Sequence, residues 1–348
     1  MRFNLNSDTQ TRPSQAMRDA MAGAEVGDEQ SGEDPTTSEL ERRVADLLGK
    51  EAAVFLPSGT MCNEIAIRVH VRPGGDEMFV GRRTHPIEDE AGGPAALSGA
   101  VLTVLDGERG TFTGETLDAA VRAHPADSRY APRPRLVCVE QTANLAGGTI
   151  WPEERVRGVL EIAREHDLRA HLDGARLLNA AVASGVAASD WAAGFDSAWI
   201  DFSKGLGAPI GACLAGSEAF IAEAWRWKQM LGGAMRQSGI VAAGALYALD
   251  HNVERLTEDH ARARRLADGL AGVPGIELDP ELVETNIVVF VVADATEFCR
   301  RMEADGVRMG ALDERTVRAV THLDIDDAGI DLALEVARAV GASMPAVS

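Results

Sequence analysis

Short apolar runs alternate along this chain with longer segments whose apolar residues recur at helical spacing. Residues 52–56, 168–172 and 197–201 are such runs, and the segment 153–166 carries its apolar residues mostly on one face. Apolar runs of this length predict buried strands, and the longer period predicts amphipathic helices. Strands that alternate with helices form a mainly parallel sheet covered on both faces, so we expect a doubly wound α/β fold.

The chain is long enough for a large core. It has 348 residues, of which 45% are hydrophobic, and this size predicts about two domains. We expect a large domain over residues 1–250 that holds the parallel sheet. Shorter strands and helices mix in residues 251–348, which predicts a small C-terminal α+β domain.

Charge and cysteine content exclude several functions. The formal net charge of −20 argues against nucleic acid and anionic membranes as partners. No apolar run approaches the length of a membrane span, and the amino terminus lacks the apolar core of a signal peptide. The four cysteines have neither metal spacing nor a disulfide pattern, so we expect a cytoplasmic protein without a metal.

One lysine stands out. The chain contains only Lys50, Lys204 and Lys228, and Lys204 lies in the glycine-rich run 201–211 between two apolar segments. Glycines let the backbone pass close to a ligand, and a partly desolvated amine becomes a nucleophile. This is the setting of a Schiff-base lysine that carries pyridoxal phosphate. The alternative is a solvated lysine on a glycine-rich turn.

Two strand ends could complete such a site. The run 52–56 leads into Gly59 and Thr60 and then into a helix, an arrangement whose backbone N–H groups and dipole favour a phosphate. Asp173 follows another buried strand, where it could pair with a pyridine nitrogen, and Arg176 could hold an oxyanion or carboxylate. Many α/β turns resemble the first motif, and the second could be a helix-capping aspartate beside a surface arginine.

Three further residues are weaker candidates. Ser7 lies in a polar loop and could contact a ligand or cap a helix. His85 follows a strand and could stack on a cofactor ring, although a lone histidine there is more often only a polar residue. Arg318 lies in a strand and could clamp a carboxylate, since arginine binds carboxylates with two parallel hydrogen bonds; the alternative is an exposed arginine.

The phosphate turn, the aspartate and the lysine occur in an order that resembles fold-type-I pyridoxal-phosphate enzymes, and the details resemble the L-threonine aldolase family of β-eliminating lyases. The stretches that carry this resemblance are Ser7-Asp8-Thr9, Thr11-Arg12-Pro13, Gly32-Glu33-Asp34-Pro35-Thr36, Pro57-Ser58-Gly59-Thr60-Met61, Asp173-Gly174-Ala175-Arg176, Phe202-Ser203-Lys204-Gly205-Leu206-Gly207-Ala208-Pro209, Met235-Arg236-Gln237 and Val320-Thr321-His322-Leu323-Asp324. They extend across nearly the whole chain.

The resemblance implies an aspartate-aminotransferase-like fold with a seven-stranded sheet, and a homodimer or homotetramer with shared active sites. It implies cleavage or formation of β-hydroxy-α-amino acids, with glycine and an aldehyde as the other partners. The implied roles are Lys204 as the cofactor lysine, Asp173 at the pyridine nitrogen, Gly59 and Thr60 at the phosphate, Arg236 helping from a neighbouring subunit, His85 stacked on the ring, Arg176 by the ring or substrate carboxylate, and Ser7 and Arg318 at the carboxylate.

The sequence departs from the family on the side where the aldehyde would lie. Ser31 and Asp89 stand where the family usually has tyrosine, and Ala143 replaces a histidine. Gln229 replaces a lysine, although Lys228 is adjacent. We therefore expect altered aldehyde specificity, with β-elimination, racemisation or transaldolation as the alternative reactions of the same cofactor.

Overall fold

A seven-stranded sheet forms the centre of the molecule. The computed structural model describes residues 2–124 and 128–345. The strands are β1 (Phe3–Asn4), β2 (Ala52–Leu56), β3 (Asp76–Gly81), β4 (Val101–Leu105), β5 (Arg133–Glu140), β6 (Arg169–Asp173), β7 (Ser197–Asp201), β8 (Ala212–Gly216), β9 (Ile287–Val291), β10 (Val307–Arg308), β11 (Gly310–Ala311) and β12 (Thr316–Val320). The large sheet has the order β2-β8-β7-β6-β5-β3-β4, and of these seven strands β8 runs antiparallel to its neighbours.

Helices cover both faces of this sheet. They are α1 (Gln15–Ala22), α2 (Pro35–Leu48), α3 (Gly59–His70), α4 (His85–Glu88), α5 (Gly93–Ser98), α6 (Gly114–Ala123), α7 (Glu153–Glu165), α8 (Leu177–Ser184), α9 (Ala188–Ala192), α10 (Glu218–Met230), α11 (Gly239–His251), α12 (Leu256–Leu270), α13 (Ala295–Ala304) and α14 (Asp327–Gly341). Within the described ranges, none of them is long and apolar enough to cross a membrane.

The predicted strand–helix alternation and the seven-stranded, mainly parallel sheet are confirmed. One local prediction was wrong. The sequence of residues 225–236 predicts a helix interrupted by glycines, but α10 ends at Met230, before Gly232 takes a positive φ of 75°. The sequence of residues 91–94 predicts a turn or a tight contact, and the contact is present, because a Cβ on Gly93 would lie 1.9 Å from Glu64 Oε1. Gly93 also opens α5, whose first turn tolerates Pro94.

The direction of the strands brings several chain segments to one edge. The parallel strands β2, β3, β5, β6 and β7 end on the same side of the sheet, and each is followed by a turn into the next element. Ligands of open α/β folds bind at this carboxyl edge. The candidate residues that follow these strands therefore meet there, although they are far apart in sequence.

A second hydrophobic core lies outside the large sheet. It is built on the antiparallel strands β11-β12-β9 and on α12, α13 and α14, with Phe290, Phe298 and Leu266 fully buried. Strand β1 pairs in parallel with β10, and Leu5 is buried in this second core. The predicted domain division between residues 250 and 251 falls at the end of α11 and stays a prediction. Strand β1 belongs to the predicted large domain by sequence but pairs with β10 of the second core.

Candidate active site

Lys204 lies at the carboxyl edge, just after β7. Its side chain is 13% exposed, and Nζ lies 3.0 Å from Asp201 Oδ2. The same amine lies 5.6 Å from the centre of the Trp199 ring. Thr11 Oγ1 donates a hydrogen bond of 2.8 Å to the Lys204 carbonyl, which fixes the turn that carries the lysine. Lys204 is therefore a positioned amine in a nearly closed site, not a solvated surface lysine.

The amino end of α3 lies against the same indole ring. A Cβ built on Gly59 would lie 2.2 Å from Trp199 Cη2, so only glycine lets the ring pack here. Ser58 caps the helix by accepting from Met61 N–H. In the part of the chain that the structure describes, the N–H groups of Gly59 and Thr60 have no acceptor. This turn offers donors to an anion.

Asp173 ends β6 and is 2% exposed. Its Oδ2 accepts from Asn63 Nδ2 at 2.8 Å, and its Oδ1 accepts from Ala175 N–H at 3.0 Å. A buried carboxylate needs such donors, because an unpartnered one would be strongly destabilising. The carboxyl group is thus held at the edge of the sheet by neutral donors, with no cation within its hydrogen-bond set.

Asn63 has all of its side-chain hydrogen bonds satisfied. Its Nδ2 donates to Glu90 Oε1 at 2.7 Å as well as to Asp173. Its Oδ1 accepts from Trp199 Nε1 at 2.7 Å and lies 3.1 Å from His171 Nε2. Since the indole nitrogen can only donate, these contacts fix which end of the amide faces the two carboxylates.

His85 opens α4 and is anchored at two points. Its N–H donates to Glu140 Oε2 at 2.8 Å, and its Nδ1 lies 2.7 Å from Glu90 Oε1. Burial acts to lower the pKa of His85, but the hydrogen bond with Glu90 and the charges of Asp173 and Glu90 hold it above its usual value. Nε2 has no partner among residues 2–124 and 128–345, so this nitrogen is available to a ligand.

Glu140 supports the same region from β5. Its other oxygen accepts from Asn144 N–H at 2.8 Å. Burial and the charge of Asp173 raise the pKa of Glu140 to about 7, against the effect of its two hydrogen bonds. The pKa of Glu140 therefore depends on the charge of Asp173. Such mutual dependence is expected of a site that handles protons.

Arg176 forms a buried ion pair. Its Nε and Nη2 donate to the two oxygens of Asp8 at 2.8 and 2.6 Å. Burial acts to raise the pKa of Asp8, but the Arg176 guanidinium holds it well below its usual range. Burial likewise acts to lower the pKa of Arg176, and Asp8 raises it above its usual value. Most of the charge of Arg176 is therefore compensated within the protein.

Arg318 is compensated much less. Nη1 donates to Asn144 Oδ1 at 2.9 Å and Nη2 to the Asn6 carbonyl at 3.3 Å. Nε is buried without an acceptor in the described structure. Burial and the nearby charge of Arg176 lower the pKa of Arg318, against the charges of Asp8 and Asp89. A half-buried guanidinium with neutral partners and an unsatisfied nitrogen is suited to bind an anion.

The remaining candidates are bound to other residues of the protein. Ser7 is buried beside the Asn6 carbonyl, and its Oγ accepts from Thr9. Arg236 is exposed and donates to Asp28 at 2.7 Å. Lys228 is fully buried, with Nζ 2.9 Å from Glu29. Lys228 therefore cannot take the place of the family lysine, and Gln229 is exposed.

Four important side chains escaped the sequence reasoning, namely Asp8, Asn63, Glu90 and Asp201. Three of them bind partners that are distant in sequence, which no local pattern reveals. Asp201 is the exception, because it lies in the lysine-bearing run and a spacing of three residues would bring the two side chains together.

These residues fit pyridoxal phosphate by the donors and charges they offer. The free N–H groups of Gly59 and Thr60 suit a phosphate, and the buried carboxylate of Asp173 suits a protonated pyridine nitrogen. The positioned amine of Lys204 suits the cofactor's carbonyl carbon. All three meet at one edge of the sheet, around the Trp199 indole.

Known proteins share this sequence and fold. The sequence model of the family described as beta-eliminating lyase matches residues 4–295. A probable low-specificity L-threonine aldolase from Arabidopsis thaliana is 41% identical over 95% of this chain and 95% of its own length. The low-specificity L-threonine aldolase of Escherichia coli K12 is also 41% identical, over 93% of this chain and 94% of its own.

Solved structures agree on the fold. A threonine aldolase from Leishmania major superposes with a TM-score of 0.82 at 19% identity, covering 97% of this chain and 99% of that chain. The predicted fold-type-I architecture is thereby confirmed, and family membership together with the fitted donor set confirms the predicted cofactor. The chain belongs to the beta-eliminating lyase family, in which its relatives are the low-specificity L-threonine aldolases.

Proposed function

We propose that this protein is a pyridoxal-phosphate aldolase that cleaves β-hydroxy-α-amino acids, such as L-threonine, L-allo-threonine or phenylserine, to glycine and an aldehyde, or runs the reverse reaction. The observation that carries this proposal is the meeting of Lys204, Asp173 and the amino end of α3 at one edge of the sheet. An adjacent, incompletely paired Arg318 supplies the means to bind an amino acid.

The residues divide the work of holding the cofactor. Gly59 and Thr60 would bind the phosphate through backbone N–H groups, and Asp173 would hold the pyridine nitrogen. Lys204 would carry the cofactor, and His85 would stack on its ring. When bound, the pyridine ring supplies an electron sink for the bond that breaks between Cα and Cβ.

The substrate carboxylate would bind Arg318. Its buried Nε lacks an acceptor, and a carboxylate would satisfy it while replacing weak neutral contacts with an ion pair. Ser7 lies beside Asn6, which contacts the same guanidinium, and its hydroxyl would add a hydrogen bond. Arg176 would tune this site by its charge, because Asp8 already occupies two of its nitrogens.

His85 would move the proton of the substrate's β-hydroxyl group. Its Nδ1 is anchored on Glu90, which fixes the imidazole and leaves Nε2 to take the proton when the aldehyde departs. Its backbone N–H bond to Glu140 keeps the residue in place. The same nitrogen would return a proton in the synthetic direction.

The aldehyde side would set the substrate preference. Asp89 is exposed and acts electrostatically on Arg318, in a position where an aromatic ring would be neutral. Ala143 leaves no imidazole near Asn144. These changes alter the groups that would meet the aldehyde, which supports an altered aldehyde specificity.

The proposal includes a homodimer or homotetramer and a cytoplasmic location. Arg236 is exposed and its charge is paired only with Asp28 among the described residues, which suits a residue that reaches the phosphate of a neighbouring subunit in a homodimer or homotetramer. The four cysteines are unpaired in the described structure, which suits a reducing cytoplasm.

Product analysis tests the reaction. The purified protein with pyridoxal phosphate is incubated with L-threonine, L-allo-threonine and L-phenylserine, and glycine and aldehyde are measured together. We expect equal amounts of both from at least one substrate. Ammonia and a keto acid would instead indicate β-elimination. Formation of the Cα epimer without glycine would indicate racemisation at Cα, and transfer of glycine to a second aldehyde would indicate transaldolation.

A further inference from the structure

Two buried glutamates lie side by side below His85. Glu64 is on α3, next to Asn63, and is 5% exposed; Glu90 precedes α5 and is 4% exposed. Both meet the start of α5: a Cβ on Gly93 would lie 1.9 Å from Glu64 Oε1, and Gly93 N–H donates to the Glu90 carbonyl. In the described structure, three of their four oxygens, Glu64 Oε1 and Oε2 and Glu90 Oε2, have no donor.

The two glutamates have different roles in this pair. Glu90 Oε1 accepts from Asn63 Nδ2 and faces His85 Nδ1, each at 2.7 Å. That oxygen is an acceptor, so Glu90 is the member suited to carry the negative charge. Glu64 has no such donor and would be costly as an ion. Two adjacent buried carboxylates cannot both ionise readily, and a shared proton satisfies both.

The surrounding structure makes room for Glu64. A Cβ built on Gly93 would lie 1.9 Å from Glu64 Oε1, so the glycine at the start of α5 is what admits the carboxyl group. Burial, the charge of Glu90 and the hydrogen bond between them raise the pKa of Glu64 to about 8. The contact and the burial place the proton on Glu64 at neutral pH.

We propose that Glu64 is a positioning residue for His85: as a neutral carboxylic acid it donates a hydrogen bond to Glu90 Oε2 and thereby completes the donor set of the carboxylate that holds the imidazole. Glu90 then accepts from Asn63, His85 and Glu64 together. Loss of the Glu64 proton would remove one donor and add a second negative charge beside Glu90.

The consequence is a dependence of His85 on the protonation of a residue that touches neither cofactor nor substrate. The other ionisable groups that face this cluster are Glu140 on β5, Asp173 and His171 on β6, Lys204 after β7, and the thiols of Cys62 and Cys138. The proposed role of His85 rests on the proposed aldolase function, whereas the shared proton does not.

Infrared spectroscopy tests the proton directly. We expect the cofactor-loaded protein in H₂O and D₂O at pH 6.5 to show the carbonyl stretch of a buried protonated carboxyl group that is lost in Glu64→Gln. Glu41→Gln serves as the matched control, because Glu41 also has its pKa raised, to about 7, but lies outside this cluster. A spectrum that Glu64→Gln leaves unchanged would overturn the proposal.

Kinetics separate positioning from packing. Wild-type kcat should fall as pH rises through about 8, where Glu64 loses its proton. Glu64→Gln keeps an N–H donor for Glu90, so we expect its kcat within about threefold of wild type and without this fall. Glu64→Leu removes the donor, so we expect kcat to fall at least about tenfold with KM within about twofold. A Glu64→Leu variant with wild-type kcat and pH profile would refute the role.

Two controls keep these outcomes apart. Thermal unfolding of Glu64→Leu shows whether it folds; if it does not, the infrared band and the pH profile of Glu64→Gln decide alone. If wild type cleaves no β-hydroxy amino acid, the proposed function fails, yet the infrared result still accepts or rejects the shared proton.

Discussion

The guanidinium of Arg176 is bound by both oxygens of Asp8, at 2.8 and 2.6 Å, whereas the neighbouring Arg318 has neutral hydrogen-bond partners in the described structure. Both arginines are candidates for the substrate carboxylate by sequence, Arg176 alternatively for the cofactor ring, and their partners in the structure distinguish them. A guanidinium that already holds a carboxylate has little to gain from a second one. The unsatisfied nitrogen of Arg318 makes it the residue to change first.

Replacing Arg318 should affect substrate binding, and replacing Arg176 should affect folding. For Arg318→Ala we expect KM for the amino acid to rise by about 30-fold or more, because a buried ion pair with the substrate is lost. For Arg176→Ala we expect the free energy of unfolding to fall by about 3–5 kcal/mol, since Asp8 is left buried without its partner. Steady-state kinetics and urea denaturation measure the two effects.

The exposed Arg308 on β10 is the matched control for these variants. Arg308→Ala should leave both KM and stability close to wild type. If Arg176→Ala raises KM as much as Arg318→Ala does without destabilising the protein, the division of roles is wrong.

Lys204→Ala should abolish cofactor attachment. The ordered amine is the group that would bind the cofactor covalently, so we expect the visible absorbance of the bound cofactor to disappear and kcat to fall by at least about a thousandfold. Lys50→Ala is the control, because Lys50 Nζ donates to the carbonyls of Ala192 and Phe195, away from the lysine-bearing run. An unchanged absorbance spectrum in Lys204→Ala would disprove the cofactor assignment of this lysine.

Gly59→Ala should disturb the site through the Trp199 ring. The added Cβ would lie 2.2 Å from the indole, and such overpacking costs about 1–3 kcal/mol of stability. The indole also contacts Asn63 and lies near Lys204, so we expect weaker cofactor binding, measured by equilibrium titration. Gly272→Ala is the control, because a Cβ there meets no atom within 4 Å. Equal cofactor affinity and stability in both variants would contradict this account.

Glu41, on α2, should make the stability of the protein depend on pH. Burial raises its pKa from 4.5 to about 7. Between these values the folded state keeps a proton that the unfolded state has released, so this group's contribution to stability falls as pH rises. Glu41→Gln removes the effect and can still accept from Phe55 N–H.

We therefore expect the stability of Glu41→Gln relative to wild type to increase between pH 5 and pH 8, by about 1–3 kcal/mol. Urea denaturation at pH 5, 6, 7 and 8 measures this difference, and activity should follow the wild-type pH profile. A difference that stays constant across the range would show that Glu41 titrates normally.

Local sequence patterns predicted the elements and the residues at their ends. Lys204 and Asp173 follow strands whose apolar runs are plain in the sequence, and parallel strands must bring their ends to one edge. The antiparallel β8 was not predicted as a strand, because Ala212–Gly216 is a run of small residues that suits a helix as well. Its direction depends on a sharp return at Gly211, with φ of 112°.

The partners of the site residues could not be predicted in the same way. Asn63 meets Asp173 across 110 positions, and Asp8 meets Arg176 across 168. Helical spacing shows which face Asn63 shares with its apolar neighbours, but not which strand covers that face. A polar residue on an apolar face is a signal of a buried network, and its partners become known only once the sheet order is known.

The first residues of the chain connect the two cores. Leu5 is buried in the second core, its N–H donates to Arg308 and its carbonyl accepts from Val320. Directly after it come Ser7 and Asp8, and Asp8 binds Arg176 in the candidate active site. If the second core moved relative to the large sheet, Ser7 and Asp8 would move with it. Asp8 would then shift Arg176, because its two oxygens bind the guanidinium. Shortening this segment from its amino end would accordingly impair catalysis before it impaired the large sheet.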